Sequence, residues 1–534
     1  MTLPGIVSSR TELDRRMVAH DLWPRRLLDR RAKVQPVLPA EVFWPTSTQQ
    51  VSEVVRYAAE QNLSVVPFGA GSGVCGGISS TTWSVVLDLK RLAGNVEIDK
   101  KERKVKVDAG MNGERFEHHL NALGFTCGHF PSSIYCSTVG GWVAARGAGQ
   151  LSSRYGKIED MLLGFSAVDG LGRIFNVSHD DVNGPALLRL FIGNEGSLCV
   201  FTSLTFRVHA LATHRWLRGF SFPDLDTGLA AVRAVMSCGE SPSVMRLYDP
   251  LDTVFAGGVK PLEEDEEDQV REGAISRAGI EDSGPHHDVE DSYLDVLVDQ
   301  AEEMMVFRKP AAARKLVGRL LKDPRWANRL LDRFAKGSKF IVGLEGDADS
   351  LSSRGTQLRK RLIAAGGVDA GDAPGEKWLH HRHRVSYKMA RTYAVGGWVD
   401  TMEVATRWEN VQPLYDEVRR SLRDVAVVMC HFSHAYVDGC SLYFTFAGGG
   451  AVGEGSGSAH ERYDLAWTRA MDACLRRGAN VSHHHGIGRS KAGMLVWELG
   501  TKLSIRALKE QLDPHHILNP GVLGTVFDAE EATT

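Results

Sequence analysis

Residues 128–161 read GHFPSSIYCSTVGGWVAARGAGQLSSRYGKIEDM, a polar stretch dense in glycine, serine and alanine and without a charged catalytic cluster. Small residues at this density let the backbone approach a ligand closely, so that free N–H groups can face phosphate or ring carbonyl oxygens. A lone glycine pair would more simply mean tight packing. A second loop, PFGAGSGVCGG at residues 67–77, argues against that reading. Its Gly71-Ser72-Gly73-Val74-Cys75-Gly76 has the G-x-G-x-x-G spacing, but a Rossmann site needs a helix N-terminus directly after the glycines. Residues 77–82 are a poor helix start, residues 83–89 read as a buried strand, and the chain has no Gly-Lys-Ser/Thr. The expectation is a loop between strands that offers backbone amides to a phosphate, and neither a nicotinamide site nor a Walker loop.

The flanks agree. Val51, Val54, Val55 and Ala58 give residues 48–62 one apolar helical face, and residues 63–68 lead as a strand into the glycines. Residues 96–108 alternate around Lys101-Glu102-Arg103 as a hairpin does, and residues 114–123 form a short amphipathic helix. A third loop, residues 193–202 (GNEGSLCVFT), follows residues 187–191 and feeds a strand at 204–208. One Gly-rich turn is weak evidence; several separated by strands are much stronger.

A length of 534 residues points to two domains. The net charge of −3 provides no whole-protein drive toward nucleic acid. The eight cysteines, at 75, 127, 136, 199, 238, 430, 440 and 474, form no C-x-x-C, so free thiols in a reducing compartment are expected. The N-terminus lacks an apolar signal region, no run reaches membrane-spanning length, and Ala532-Thr533-Thr534 is not a peroxisomal address. A cytoplasmic location is the default expectation. Residues 257–293, with LEEDEED and GIEDSGPHHDVEDS, read as an acidic mobile insertion. Residues 307–336 are the reverse, basic residues alternating with apolar ones and interrupted by Pro324. Two amphipathic helices covering the second domain explain them most simply; a peripheral contact with an anionic membrane surface is the sharper reading.

The order PFGAGSGV, CSTVGGWVAARGAGQ with SSRYGKIEDM, then NEGSLCVFT resembles the FAD domain of the p-cresol-methylhydroxylase/vanillyl-alcohol-oxidase (PCMH/VAO) superfamily. Within it, STVGGW, RYGKIED and the late SHHHGIG are similar to the alkyldihydroxyacetonephosphate synthases and their bacterial relatives. The resemblance implies an α+β chain: a two-subdomain PCMH/VAO-type FAD-binding domain and an α/β substrate, or cap, domain with an antiparallel sheet. The expected division is an N-terminal segment at 1–36, the FAD domain at 37–212, the cap at 213–470, and a segment at 471–534 that returns to the FAD domain with the histidine triplet. It further implies non-redox exchange of the acyl group of acyl-dihydroxyacetonephosphate for a long-chain alcohol, in ether-lipid synthesis, with a homodimer as the common assembly. An FAD-linked oxidase or dehydrogenase of a 2-hydroxy acid or other alcohol is the alternative.

On this resemblance FAD is expected against Pro67, Phe68, Gly69, Ala70, Gly71, Ser72, Gly73 and Val74; against Ser132, Ser133, Ile134, Cys136, Ser137, Thr138, Gly140, Gly141, Ala145, Arg146, Gly147 and Ala148; and against Glu195, Gly196, Ser197, Leu198, Cys199, Val200 and Phe201. His129 is expected near the ring without a covalent bond. Tyr443, on a strand opposite Leu442 and Phe444, matches the synthases' proton-transferring tyrosine, and His483, His484 and His485 their functional triplet. Neutral imidazoles can relay protons near neutral pH. Three consecutive histidines on one strand cannot all ligate a metal, because alternate residues face opposite sides, and no metal is expected. A phosphorylated substrate needs a guanidinium. The synthases' phosphate arginine corresponds here to Met389, which leaves Arg384, Lys388 or Arg391 for the anion, with His431 beside the substrate.

Overall fold

The computed structural model describes residues 3–255, 275–277, 321–383, 392–393, 397–450, 457–495 and 499–524. Apart from residues 275–277, the acidic stretch 257–293 lies outside the described residues, as do residues 307–320 and Arg384, Lys388, Met389 and Arg391.

Three of the four sheets among the described residues organise the fold. In the first, Glu41–Trp44 and Ser64–Phe68 flank Ser84–Asp88 and run parallel to it, while Val7–Ser9 pairs antiparallel at the edge. Continuous apolar runs suit strands covered on both faces, and Val85, Val86 and Leu87 are fully buried. The helix Thr48–Glu60 covers this sheet with Val51, Val54, Val55 and Ala58; the Ser47 hydroxyl accepts from Gln50 N and caps it. No helix follows the glycines of residues 67–77: a loop alone connects two parallel strands, as the sequence requires. The second sheet is antiparallel, in the order Val96–Asp99, Lys104–Asp108, Val200–Arg207, Leu162–Val168, Ile174–Ser178.

The third sheet has eight strands, all paired antiparallel. Toward one end Val244–Tyr248, Val427–Ala435, Gly439–Gly449 and Gly397–Arg407 lie side by side, the last at the edge. Side chains alternate between the faces of a strand. Here Leu247, Phe432, Leu442, Phe444, Phe446, Trp398 and Met402 join one core under the helices Leu225–Met236, Ala348–Ala364, Trp408–Leu422 and Ala459–Arg476. The opposite set, Arg246, Met429, His431, Tyr443, Thr445 and Thr401, faces a cavity. Pro324 occupies the first turn of the helix Pro324–Phe334, where its missing N–H costs nothing.

Candidate active site

The cavity encloses about 1540 Å³ between the glycine loops and the third sheet. One wall is backbone. Residues 67–75 line it with Ser132, Ser133, Cys136, Ser137, Thr138, Gly140, Gly141, Ala145, Gly147 and Ala148, and with Glu195, Gly196, Cys199, Val200 and Phe201. Close approach of the loops demands glycine: a Cβ at Gly69 would collide with Thr138 Oγ1, and Gly71 has φ +70°. The same wall holds polar atoms with no hydrogen-bond partner among the described residues: both ring nitrogens of His129, Ser80 Oγ and Asn519 Oδ1. Buried polar atoms are normally partnered, so this wall is shaped and wired for a polar ligand. Burial, reinforced by Lys157, pushes the His129 pKa down to about 3, which keeps the ring neutral.

Between the two walls runs the SHHHGIG loop, pinned by two carboxylates, Glu195 and the fully buried Glu403. On the glycine-loop side Glu195 accepts from Ile487 N at 2.5 Å and Gly488 N at 2.8 Å. On the sheet side Glu403 accepts from Ser482 Oγ, from His485 N at 2.8 Å and from His484 N at 3.2 Å. Glu403 also pairs with Lys491 at 3.1 Å, both side chains being wholly inaccessible. Burial alone would raise the Glu403 pKa, but the positive environment of His485 and Lys491 holds it well below the usual carboxylate range. Among the described residues no cation pairs with Glu195, and burial pushes it up to about 6. The loop is no strand, so its histidines are free of strict alternation: His484 and His485 line the cavity, while His483 turns aside to Tyr436, with Nε2 3.0 Å from the phenol oxygen.

Tyr443 stands at the centre of the sheet wall. Strand register sets it opposite His431, and the two rings stack at 4.5 Å between centroids and 17° between planes. His485 meets it edge-on at 5.5 Å. Burial pushes the Tyr443 pKa up to about 12, with a hydrogen bond to Thr401 opposing, so the phenol keeps its proton at neutral pH. Burial also holds His431 and His484 well below the usual histidine pKa, so both stay neutral. His431 Nδ1 lies between Asp252 Oδ2, at 3.2 Å, and the Arg246 guanidinium, at 3.4 Å. A phenol beside the neutral imidazoles of His431 and His484 can hold and pass a proton; a guanidinium beside them can hold an anion.

Two members of this wall were not among the expected site residues. Arg246 interrupts the apolar strand VMRLY between the core residues Met245 and Leu247, and that lone charge was the available signal. His434 gave none. A bulge between Ser433 and Ala435 puts His434 at φ +53°, so Ser433 and His434 both face the cavity. His434 Nδ1 sits 2.6 Å from Ser152 Oγ of the SSRYG motif. Five expected site residues lie off the cavity wall. Ile134 and Leu198 point into the core, Ser197 hydrogen-bonds Asn194, Arg146 reaches outward to Glu159, and His483 turns to Tyr436. The expected anion-binding residues Arg384, Lys388 and Arg391 lie outside the described residues.

Comparison with known proteins agrees with this geometry. An FAD binding domain family matches residues 39–178, and the C-terminal domain family of FAD linked oxidases matches residues 212–523. The alkyldihydroxyacetonephosphate synthase of Trypanosoma brucei brucei is 28% identical over 524 residues, 94% of this chain and 75% of that protein. An uncharacterized FAD-linked oxidoreductase of Escherichia coli (strain K12) is 27% identical over 504 residues, 91% of this chain and 89% of its own. A solved alkyldihydroxyacetonephosphate synthase structure shares the fold with TM-score 0.70 at 23% identity, over 96% of this chain and 82% of that one.

Proposed function

The chain belongs to the FAD-linked oxidase family, and on that footing we propose that it exchanges the acyl group of an acyl-dihydroxyacetonephosphate for a long-chain alcohol. The observation that carries this reading is the Tyr443–His431–His484–His485 cluster over a large cavity, in a chain similar along 94% of its length to such a synthase. The glycine-loop wall, with its unpartnered polar atoms, fits FAD, which supplies the ring chemistry for substitution at carbon without net redox change. The protein's own groups do the rest. Arg246 takes the anionic head group. Tyr443 passes protons with the imidazoles of His484 and His485 as the fatty acid leaves and the alcohol oxygen bonds. Val399, Val427, Met429, Ala447, Leu321 and Leu331 line an aliphatic stretch for the chains and keep water out.

A second reading has its own support. The Escherichia coli oxidoreductase is almost as similar as the synthase, and Arg246 beside His431 would hold the carboxylate of a 2-hydroxy acid equally well. One anaerobic experiment separates the two. Yellow protein is mixed with palmitoyl-dihydroxyacetonephosphate and labelled hexadecanol while the flavin spectrum is followed. Ether product with an oxidised final spectrum supports the exchange. No product, with bleaching by a 2-hydroxy acid instead, assigns the protein to oxidation.

A further inference from the structure

Strand register carries one rung of side chains across four strands of the third sheet. Tyr443 pairs with His431, His431 with Tyr248, and Tyr248 with Lys339 of the strand Ser338–Gly346. All four line the cavity. Neighbouring strands lie about 4.8 Å apart, so Lys339 leaves the backbone about 14 Å from Tyr443. The aliphatic lining runs the other way, along the strands to the rung of Val427, Ala447 and Val399. Two arms therefore diverge from Tyr443, one apolar and one that ends in a lysine.

The helix Ala373–His381 borders the polar arm. It packs closely on the strand His214–Phe222: a Cβ at Gly219 would collide with Pro374, and one at Gly375 with Leu217. Pro374, Lys377, Trp378 and His381, at i, i+3, i+4 and i+7, then face the cavity as one side of the helix. Burial lowers the Lys339 pKa, and the Lys377 ammonium lowers it further. Neither lysine side chain has a hydrogen-bond or ion-pair partner among the described residues. Four carboxylates among the described residues line the cavity. Asp21, Asp29 and Glu195 come from the N-terminal segment and the glycine loops, and Asp252 meets His431 beside Arg246.

Like charges converging in a partly buried cleft oppose each other until a ligand supplies the counter-charge. Arg246 is already offset by Asp252, both meeting His431 Nδ1. The two charges of Lys339 and Lys377 are not offset. We propose that Lys339 and Lys377 form an anion site of their own, beside Tyr248 and one strand outward from Arg246, for a dianionic oxyanion of the phosphate-monoester type. A single carboxylate would leave one ammonium unmatched. Lys377 is exposed, so the anion can enter from water while a chain occupies the apolar arm. The inference deepens the reading of a charged head group in this cavity. It holds for either proposed reaction, and its test uses no turnover.

The test titrates FAD-loaded full-length protein by calorimetry with methyl phosphate, a dianion above about pH 6, and with acetate as the monocarboxylate. Saturable methyl phosphate binding is expected at about 0.05 M salt and weaker binding at about 0.5 M, with acetate at least about ten-fold weaker. Lys339→Met and Lys377→Met should each weaken methyl phosphate about ten-fold, and Lys339→Arg should retain most of the affinity. Flavin absorbance and melting temperature show that the variants fold. Reductive methylation read by mass spectrometry locates the site, since methyl phosphate should protect Lys339 and Lys377. No saturable binding to the unaltered protein, Met variants that bind as it does, or no protection of these lysines would overturn the proposal. So would acetate binding equal to that of methyl phosphate, which would leave a carboxylate at Arg246 as the ligand.

Discussion

The two walls of the cavity are built from opposite materials. The glycine-loop wall presents main chain: Gly69 and Gly71 clear the way, and its polar groups belong to loops contiguous in sequence. The sheet wall presents side chains from strands far apart in the chain, Arg246, His431, Tyr443 and the loop histidines. The same contrast divides the carboxylates that hold the SHHHGIG loop between them. Glu195 accepts from backbone N–H groups alone among the described contacts, whereas Glu403 adds to its backbone donors an ion pair with buried Lys491. A wall of backbone recognises a constant ligand; a wall of side chains can be altered one residue at a time for a variable one.

If that division holds, substitutions on the sheet wall should spare the flavin. Tyr443→Phe should stay yellow and lose about 10²–10⁴-fold in turnover, the range for a lost proton-transfer group; colourless protein would instead tie Tyr443 to the cofactor wall. Lys491→Met strands a buried anion at Glu403 and should cost about 3–5 kcal/mol of stability, read by thermal unfolding. Breaking the other anchor, Glu195→Gln, removes an acceptor from one backbone donor and should cost about 1–3 kcal/mol. Arg246→Met should raise KM for an anionic substrate about ten-fold or more while changing kcat less, and unchanged KM would remove Arg246 from the anion site.

The smallest effect concerns pH and has opposite signs at the two anchors. Glu403 lies below its ordinary value near 4.5 in the folded protein, so its contribution is full above that pH and is lost as pH falls. Glu195 is raised from 4.5 to about 6, so its contribution is present below 4.5 and lost as pH rises through about 6. Melting curves across this range should therefore lose their acid-side slope in Glu403→Gln and their slope between these values in Glu195→Gln. Buried neutral histidines such as His129 and His434 add a common loss as pH falls below their ordinary 6.5, which the comparison with unaltered protein removes.

Much of the glycine-loop wall was legible because close approach of backbone demands small residues, and those appear as contiguous motifs. The helix at Thr48–Glu60, the strand at Ser84–Asp88 and the hairpin at residues 96–108 follow from local periodicity. Tyr443 was legible through alternation, since Leu442 and Phe444 had to enter the core. Ile134 and Leu198 send their side chains into the core, because a motif marks a segment, whereas the direction of each side chain within it depends on what packs around it.

Local sequence thus determined where backbone comes close to a ligand, which strands have an apolar face and which polar residues oppose it, because these depend on neighbours within a few positions. Tertiary structure alone decided that Glu403 meets Lys491, that His431 stacks on Tyr443, and that a bulge turns His434 inward beside Ser152. The physical reason is distance along the chain. Ion pairs, ring stacks and strand register are settled by groups from about a dozen to hundreds of residues apart, and no local pattern records which of them will share a cavity.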